Sequence, residues 1–435
     1  MTASQQPSSR NRRLPYLVGL LVLIGMASFF FRQPIQRALL FRSILRADAP
    51  SEEAFQELAE GAQVPFVFLQ RVWNAQKIPH RSLVATYLKE NAGARPELYR
   101  QAEPLLLSAA LDVDASVREL ALGTLAEQKH PDLPRLAAAL LRDADPQMRL
   151  LGLQYLRKQD PSAALGAVFN LLDDPDLRVV TTADSALRNW TGEDFGIRIS
   201  QANLNLAYDA ISSVDPANLK IIQAGVRHWK DWWVGHRQNY PTNSLAASGE
   251  PGTLDRLPTT NFKLADLEGK TVRFSDFKGK TVLLNFWTTW CPGCLIEIPY
   301  LIELQRRNAD RLAVVGISLD GQAEVDEHGH VAEAHSDDGD SHPQKEAPDD
   351  PAEIRAKIVQ FVRDKGINYP VLLDPRSEIG RRFNGGELPT NVLIDPQGYV
   401  RRRFVGGRAV AALEAMLDEL VPGTGRATEP TPASR

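Results

Sequence analysis

Asn285-Phe286-Trp287-Thr288-Thr289-Trp290-Cys291-Pro292-Gly293-Cys294 holds both cysteines of the 435-residue chain, spaced Cys-x-x-Cys. The apolar run from Thr281 to Trp287 reads as a buried strand, and a helix is expected to follow Cys291. A cysteine at a helix N-terminus has its thiolate stabilised by unpaired backbone N–H groups and by the macrodipole. The outer sulfur, Cys291, is therefore the expected nucleophile, and Cys294, one turn on, resolves the mixed disulfide. Pro292 suits the first helical position, where its missing N–H has no partner to lose. Zinc is a poor alternative because it needs three or four ligands and no second cysteine pair exists. A purely structural bridge closing so short a loop would contribute little through loop-closure entropy.

With these residues in view, the stretch from about 258 to 421 resembles a thioredoxin-like domain of the membrane-anchored TlpA/ResA type of thiol–disulfide oxidoreductase. The matching segments are Phe262 to Lys270, Leu283 to Trp287 with Trp290 to Cys294, Val314 to Asp320 and Leu388 to Asp395. The resemblance implies an α/β thioredoxin fold and protein thiol or disulfide substrates. It implies that Pro389 is the cis-proline facing the cysteines and holding substrate backbone, and that Trp290 shields the sulfurs. Glu297 matches an acidic residue that ResA-like proteins place beside their cysteines; the alternative is a solvated helix glutamate. Asn285 stands where cytosolic thioredoxins keep a buried aspartate, which leaves Glu297 as the local group for proton handling. Members of this type are typically reductases, sometimes serving cytochrome c assembly. A peroxidase of the peroxiredoxin kind shares the fold, but its Pro-x-x-x-Thr-x-x-Cys signature fails at Leu284.

The N-terminus adds a location. Leu14 to Phe31 carries no charge and is just long enough to span a bilayer as a helix. A cleaved signal peptide is disfavoured because Ala27-Ser28-Phe29 breaks the small-residue pattern at a cleavage site. Residues 1–13 are then cytoplasmic, 14–31 a single-pass transmembrane anchor in contact with lipid, and the rest extracytoplasmic, or periplasmic, as the resemblance implies. Two cysteines, both in the active pair, suit an oxidising compartment where stray thiols mispair.

Between anchor and redox domain, residues 50–237 are rich in alanine and leucine at helical spacing. Asp114 to Arg118, Asp145 to Arg149 and Asp174 to Arg178 all read Asp-x-x-apolar-Arg, with arginines 31 and then 29 residues apart. A period near thirty means stacked supersecondary units. Each Asp is expected to cap a helix, so the region reads as an all-α, HEAT-like solenoid with room for a protein partner. Lys220 to Arg237 bears Trp229, Trp232 and Trp233, expected to seal the end of the array rather than to form a binding platform.

Residues 238–257 read as a linker. Residues 322–351 form an acidic insertion with His328, His330, His335 and His342, too poor in apolar residues to fold. Residues 422–435 read as a disordered tail. The formal net charge of −4 and the absence of a basic cluster argue against nucleic acid. No Gly-rich phosphate loop precedes a helix. The enzyme is expected to carry no cofactor and no metal of its own, so electrons must arrive through another protein's thiols, with a membrane thiol donor as the expected source.

Overall fold

The computed structural model describes residues 36–59, 64–158, 161–197, 216–240, 257–259, 261–321 and 350–420. The expected anchor 14–31, the residues before it, the expected tail 422–435 and all but the last two residues of the expected insertion lie outside the described residues. Among the described residues no helix is long and apolar enough to cross a membrane. The chain divides into two compact units, Met1–Ala75 and Gln76–Arg435. The first holds helices α1 (36–46), α2 (Glu52–Ala59) and α3 (Phe66–Trp73), with Phe41 stacked on Phe68 at 4.4 Å between ring centroids.

The second unit begins with an all-helical region: α4 (Ile78–Asn91), α5 (Pro96–Ala109), α6 (Ala115–Glu127), α7 (Leu133–Leu140), α8 (Pro146–Leu156), α9 (Pro161–Phe169), α10 (Leu177–Thr191) and α11 (Pro216–His236). Asp114 caps α6 and Asp145 caps α8, each accepting from the N–H two residues on at 2.9 Å. The third cap corrects the sequence register. It is Asp176, accepting from Arg178 N–H at 2.9 Å, and not Asp174. Asp112, Asp143 and Asp174 instead accept from the N–H of Asp114, Asp145 and Asp176 in turn. The repeated unit is thus Asp-x-Asp, with a period of 31 residues at both steps. The uneven arginine spacing came from aligning Arg178 with Arg118 and Arg149, whereas Val180 holds that place.

Those two arginines do similar jobs. Arg118 donates to Asp112 O at 2.8 Å and Arg149 to Asp143 O at 2.8 Å, each tying down the loop before its own helix. Arg149 also makes a bidentate pair with Asp174 of the next unit, both contacts at 2.7 Å. The end of the array is closed by α11. Its Trp229 is fully buried among Ala183, Leu187 and Ile222, and its indole N–H donates to Asp184 at 2.7 Å. Trp232 and Trp233 are half-buried against the same cluster. A short turn at Arg237–Asn239 follows, and Leu257 already belongs to a strand, so the linker shrinks to 241–256, outside the described residues.

The C-terminal part is an eight-stranded sheet in the order β1-β8-β7-β4-β5-β6-β2-β3. The strands are β1 (Leu257–Pro258), β2 (Lys263–Asp266), β3 (Thr271–Arg273), β4 (Thr281–Trp287), β5 (Leu312–Ser318), β6 (Val371–Leu373), β7 (Thr390–Ile394) and β8 (Tyr399–Val405). Helices α12 (Pro292–Arg307), α13 (Pro351–Lys365), α14 (Glu378–Arg382) and α15 (Val410–Leu420) complete it. β4 lies parallel to β5 and antiparallel to β7, and every residue of it is buried. A strand covered on both faces needs a continuous apolar run, which is why Thr281 to Trp287 reads as it does.

The helical array and the sheet share one core. Ile78 and Val113 are buried in the same cluster as Leu284, Phe286 and Val392. β1 covers β8 only at Tyr399 and Val400; further along, Arg403 N–H donates to Val113 O at 2.8 Å. The array thereby occupies a sheet edge that would otherwise be open to pairing with another chain. Three arginines of the α/β part meet the aspartates of the repeats: Arg402 with Asp143 at 2.6 Å, Arg403 with Asp114 at 3.0 Å, and Arg408 with Asp145 at 2.8 Å. Arg403 and Asp114 side chains are both 0 % exposed. Burial alone would raise the Asp145 carboxyl, yet the charge and hydrogen bonds of Arg408 hold it below its ordinary value. Such pairs return little net stability over apolar packing, but losing one partner strands a charge at a cost of about 3–5 kcal/mol.

Candidate active site

Thr288 and Thr289 carry the chain from β4 to the cysteines, and their turn is held by Asp320 at the end of β5. Asp320 accepts from Thr289 Oγ1 at 2.6 Å, from its N–H at 3.1 Å, and from Ser318 Oγ at 2.7 Å. Cys291 then forms the N-cap of α12, and its Sγ accepts from Cys294 N–H at 3.1 Å. The same N–H would stabilise a Cys291 thiolate once the pair is reduced. In this structure the two sulfurs are joined as a disulfide. Cys291 is 4 % exposed and Cys294 1 %, so the outer sulfur is less open than its position at the helix start implies. Placement at the cap, more than exposure, distinguishes the two. Trp290 stands 43 % exposed and Ile296 49 %, both large apolar side chains open to solvent.

The Leu388–Pro389 peptide is cis. A Cβ built on Gly293 would lie 3.2 Å from Pro389 Cδ, so the cis-proline loop rests directly against the residue between the cysteines. Pro389 O accepts from Gly406 N–H at 2.8 Å, linking this loop to the turn after β8.

Glu297 is 0 % exposed, which removes the solvated-surface alternative. It lies three residues after Cys294 on the buried face of α12, where residues at that spacing are neighbours. Its carboxylate accepts from Asn391 Nδ2 at 2.8 Å and from Asn285 Nδ2 at 3.0 Å. Asn285 also donates to Asn391 Oδ1 at 3.1 Å, across directly paired positions of β4 and β7. Burial pushes the Glu297 carboxyl up to about 7, against the lowering effect of Asn391, of the Arg408 charge and of Asn285. A carboxyl near 7 exchanges protons at the working pH of a general acid or base. Tyr369 is raised as well, by burial and by the nearby Glu297 charge.

Sequence reasoning overlooked Asn391, although a signal existed. An amide inside an apolar strand, as in Thr390-Asn391-Val392, must find a buried partner. It also overlooked Arg402 and Arg403, because a run of arginines on a strand ordinarily reads as solvated surface, and Arg408 in the turn after β8. His130, in the loop before α7, accepts from Asp132 N–H at 3.1 Å and faces Glu103 of α5 at 3.1 Å, a structural contact.

The family match falls on this C-terminal part. The AhpC/TSA family model matches residues 256–403 and leaves the helical region unmatched. Thiol-disulfide oxidoreductase ResA of Bacillus anthracis is 33% identical over 162 residues, covering 37% of this chain and 76% of that protein. ResA of Bacillus subtilis (strain 168) is 25% identical over 152 residues, covering 35% of this chain and 67% of that protein. Among solved structures, a thiol:disulfide interchange protein of the thioredoxin family from Chlorobium tepidum TLS is 25% identical. It covers 38% of this chain and 97% of that one, with a TM-score of 0.29.

Proposed function

This chain belongs to the ResA family of thiol–disulfide oxidoreductases, and from that membership we propose that it reduces disulfides of protein partners on the outer side of a membrane. The observation carrying this reading is the Cys291–Cys294 pair at the start of α12, set against cis-Pro389 with Glu297 buried one turn further in. The Cys291 thiolate attacks one sulfur of the substrate disulfide, and the other sulfur leaves as a thiolate that takes a proton. Cys294 gives its proton to Glu297 and attacks Cys291 Sγ. The Cys291–Cys294 disulfide forms, the second substrate sulfur leaves, and two electrons have passed from the pair to the substrate. Pro389 positions the partner's backbone, and Trp290 with Ile296 gives it an apolar landing surface.

The finer parts of the proposal rest on the sequence. Residues 14–31 anchor the chain, the helical region is of HEAT type, and a membrane thiol protein restores the reduced pair. Cytochrome c assembly is one setting that fits a reductase placed there. Equilibrating the purified protein in thiol–disulfide buffers and titrating the Cys291–Cys294 couple tests the direction. A potential near that of thioredoxin, about −270 mV, supports reduction, and one near that of a strong oxidase, about −120 mV, overturns it. Recovery of the full chain in the salt-washed soluble fraction would refute the anchor.

A further inference from the structure

A cleft of about 390 Å³ opens where the helical array meets the turn after β8. One wall is Val405, Gly406, Gly407 and Arg408; the other is built by the starts of α6, α8 and α10. Ser116, Gln147 and Arg178 line it, and each stands two residues after its capping aspartate. The 31-residue period therefore delivers one side chain per unit to a single row along the cleft. The wall facing this row reaches the redox centre, since Gly406 N–H donates to Pro389 O, and Pro389 touches the position of Gly293 between the cysteines. The cleft therefore borders the cis-proline loop through Gly406.

The charges lining the cleft are unequally satisfied. Arg408 is paired with Asp145, and Arg178 with its own Asp176 at 2.6 Å. Glu119, one turn into α6, is exposed and has no ion-pair partner among the described residues. The cleft thus presents one carboxylate without an ion-pair partner among the described residues. We propose that the helical array forms the second wall of the substrate groove and that Glu119 selects protein disulfides flanked by lysine or arginine. The proposal rests on the redox reading above and adds the chemistry of the partner.

Two synthetic peptides test it, each with one central cysteine held in a mixed disulfide with thionitrobenzoate, one flanked by lysines and the other by aspartates. The pair in the full chain is first reduced and the reductant removed. Cys291 attacks the peptide sulfur, thionitrobenzoate leaves and is read by its absorbance, and Cys294 then releases the peptide thiol. An exposed charge pair changes rates by about twofold to fivefold, so the lysine peptide should react about threefold faster than the aspartate peptide at low salt. Glu119→Lys should abolish or invert that ratio, and about 1 M salt should flatten it. Charge reversal at Glu90, exposed on α4 and outside the cleft lining, should leave the ratio standing. A ratio unchanged in Glu119→Lys, or moved equally by Glu90→Lys, overturns the groove. Failure of the reduced protein to react with the free aromatic disulfide overturns the redox reading instead.

Discussion

Replacing Glu297 by glutamine should remove a specific pH dependence from the stability of the oxidised protein. The carboxyl sits near 7 in the folded chain against 4.5 for the ordinary value, because burial penalises its charged form. Below pH 4.5 it is protonated in both folded and unfolded states, so burial then carries no electrostatic penalty. Between 4.5 and 7 the unfolded chain ionises first and folding loses about 1.4 kcal/mol per pH unit. Above 7 both states are ionised and the loss levels off at about 3 kcal/mol. Glutamine cannot accept from both Asn285 and Asn391, since its amide nitrogen meets one of their donors head-on. That mismatch is independent of pH and enters as a constant offset. Urea unfolding of both proteins from about pH 4.5 to 8, with the disulfide intact so that no thiol titrates, isolates the effect. The difference in unfolding free energy, variant minus parent, should rise by about 3 kcal/mol across this range and plateau above about pH 7. In the reduced protein, the same substitution should shift the pH profile of cysteine alkylation. A stability difference flat to within about 0.5 kcal/mol would refute the raised carboxyl and its role in moving the Cys294 proton.

Arg403→Met leaves Asp114 buried and unpaired and should cost about 3–5 kcal/mol in urea unfolding, whereas adding Asp114→Asn, which keeps a helix cap, should recover most of it; a single variant as stable as the parent would dismiss the pair. Cys294→Ser should accumulate mixed disulfides through Cys291 and Cys291→Ser far fewer, and equal trapping on non-reducing gels would reverse the assignment of attacking and resolving sulfur. Gly152→Ala should destabilise by about 1–3 kcal/mol, since its Cβ would lie 2.6 Å from Ala137 O where α7 and α8 cross, and calorimetry showing no loss would mean that the helices separate freely.

Much of the redox centre was legible because its requirements are local. A strand buried on both faces, a helix capped by a cysteine and a proline at its first position follow from adjacent residues, and each is found where the pattern places it. The capping aspartates at 114 and 145 were legible for the same reason. The third unit was misread by two residues because Arg178 imitates a motif whose true member is the Asp174–Asp176 pair. A local pattern cannot separate these registers; the ladder of Asp side chains to backbone N–H groups can.

The sequence by itself determined the chemistry of the pair: two cysteines one helical turn apart behind an apolar strand leave few readings other than thiol–disulfide exchange. Only the tertiary structure decided the surroundings of that pair. The resemblance points to Glu297 as a proton-handling group but leaves a solvated helix glutamate open, until β7 brings Asn391 to it from 94 positions along the chain and burial excludes water. Arg403 and Asp114, 289 positions apart, look like two surface charges until the helical array covers the edge of β8 and excludes water from both. The physical reason is the same in each case. Whether a polar side chain is solvated, paired or shifted in its proton affinity depends on what is packed against it, and no neighbour in sequence carries that information.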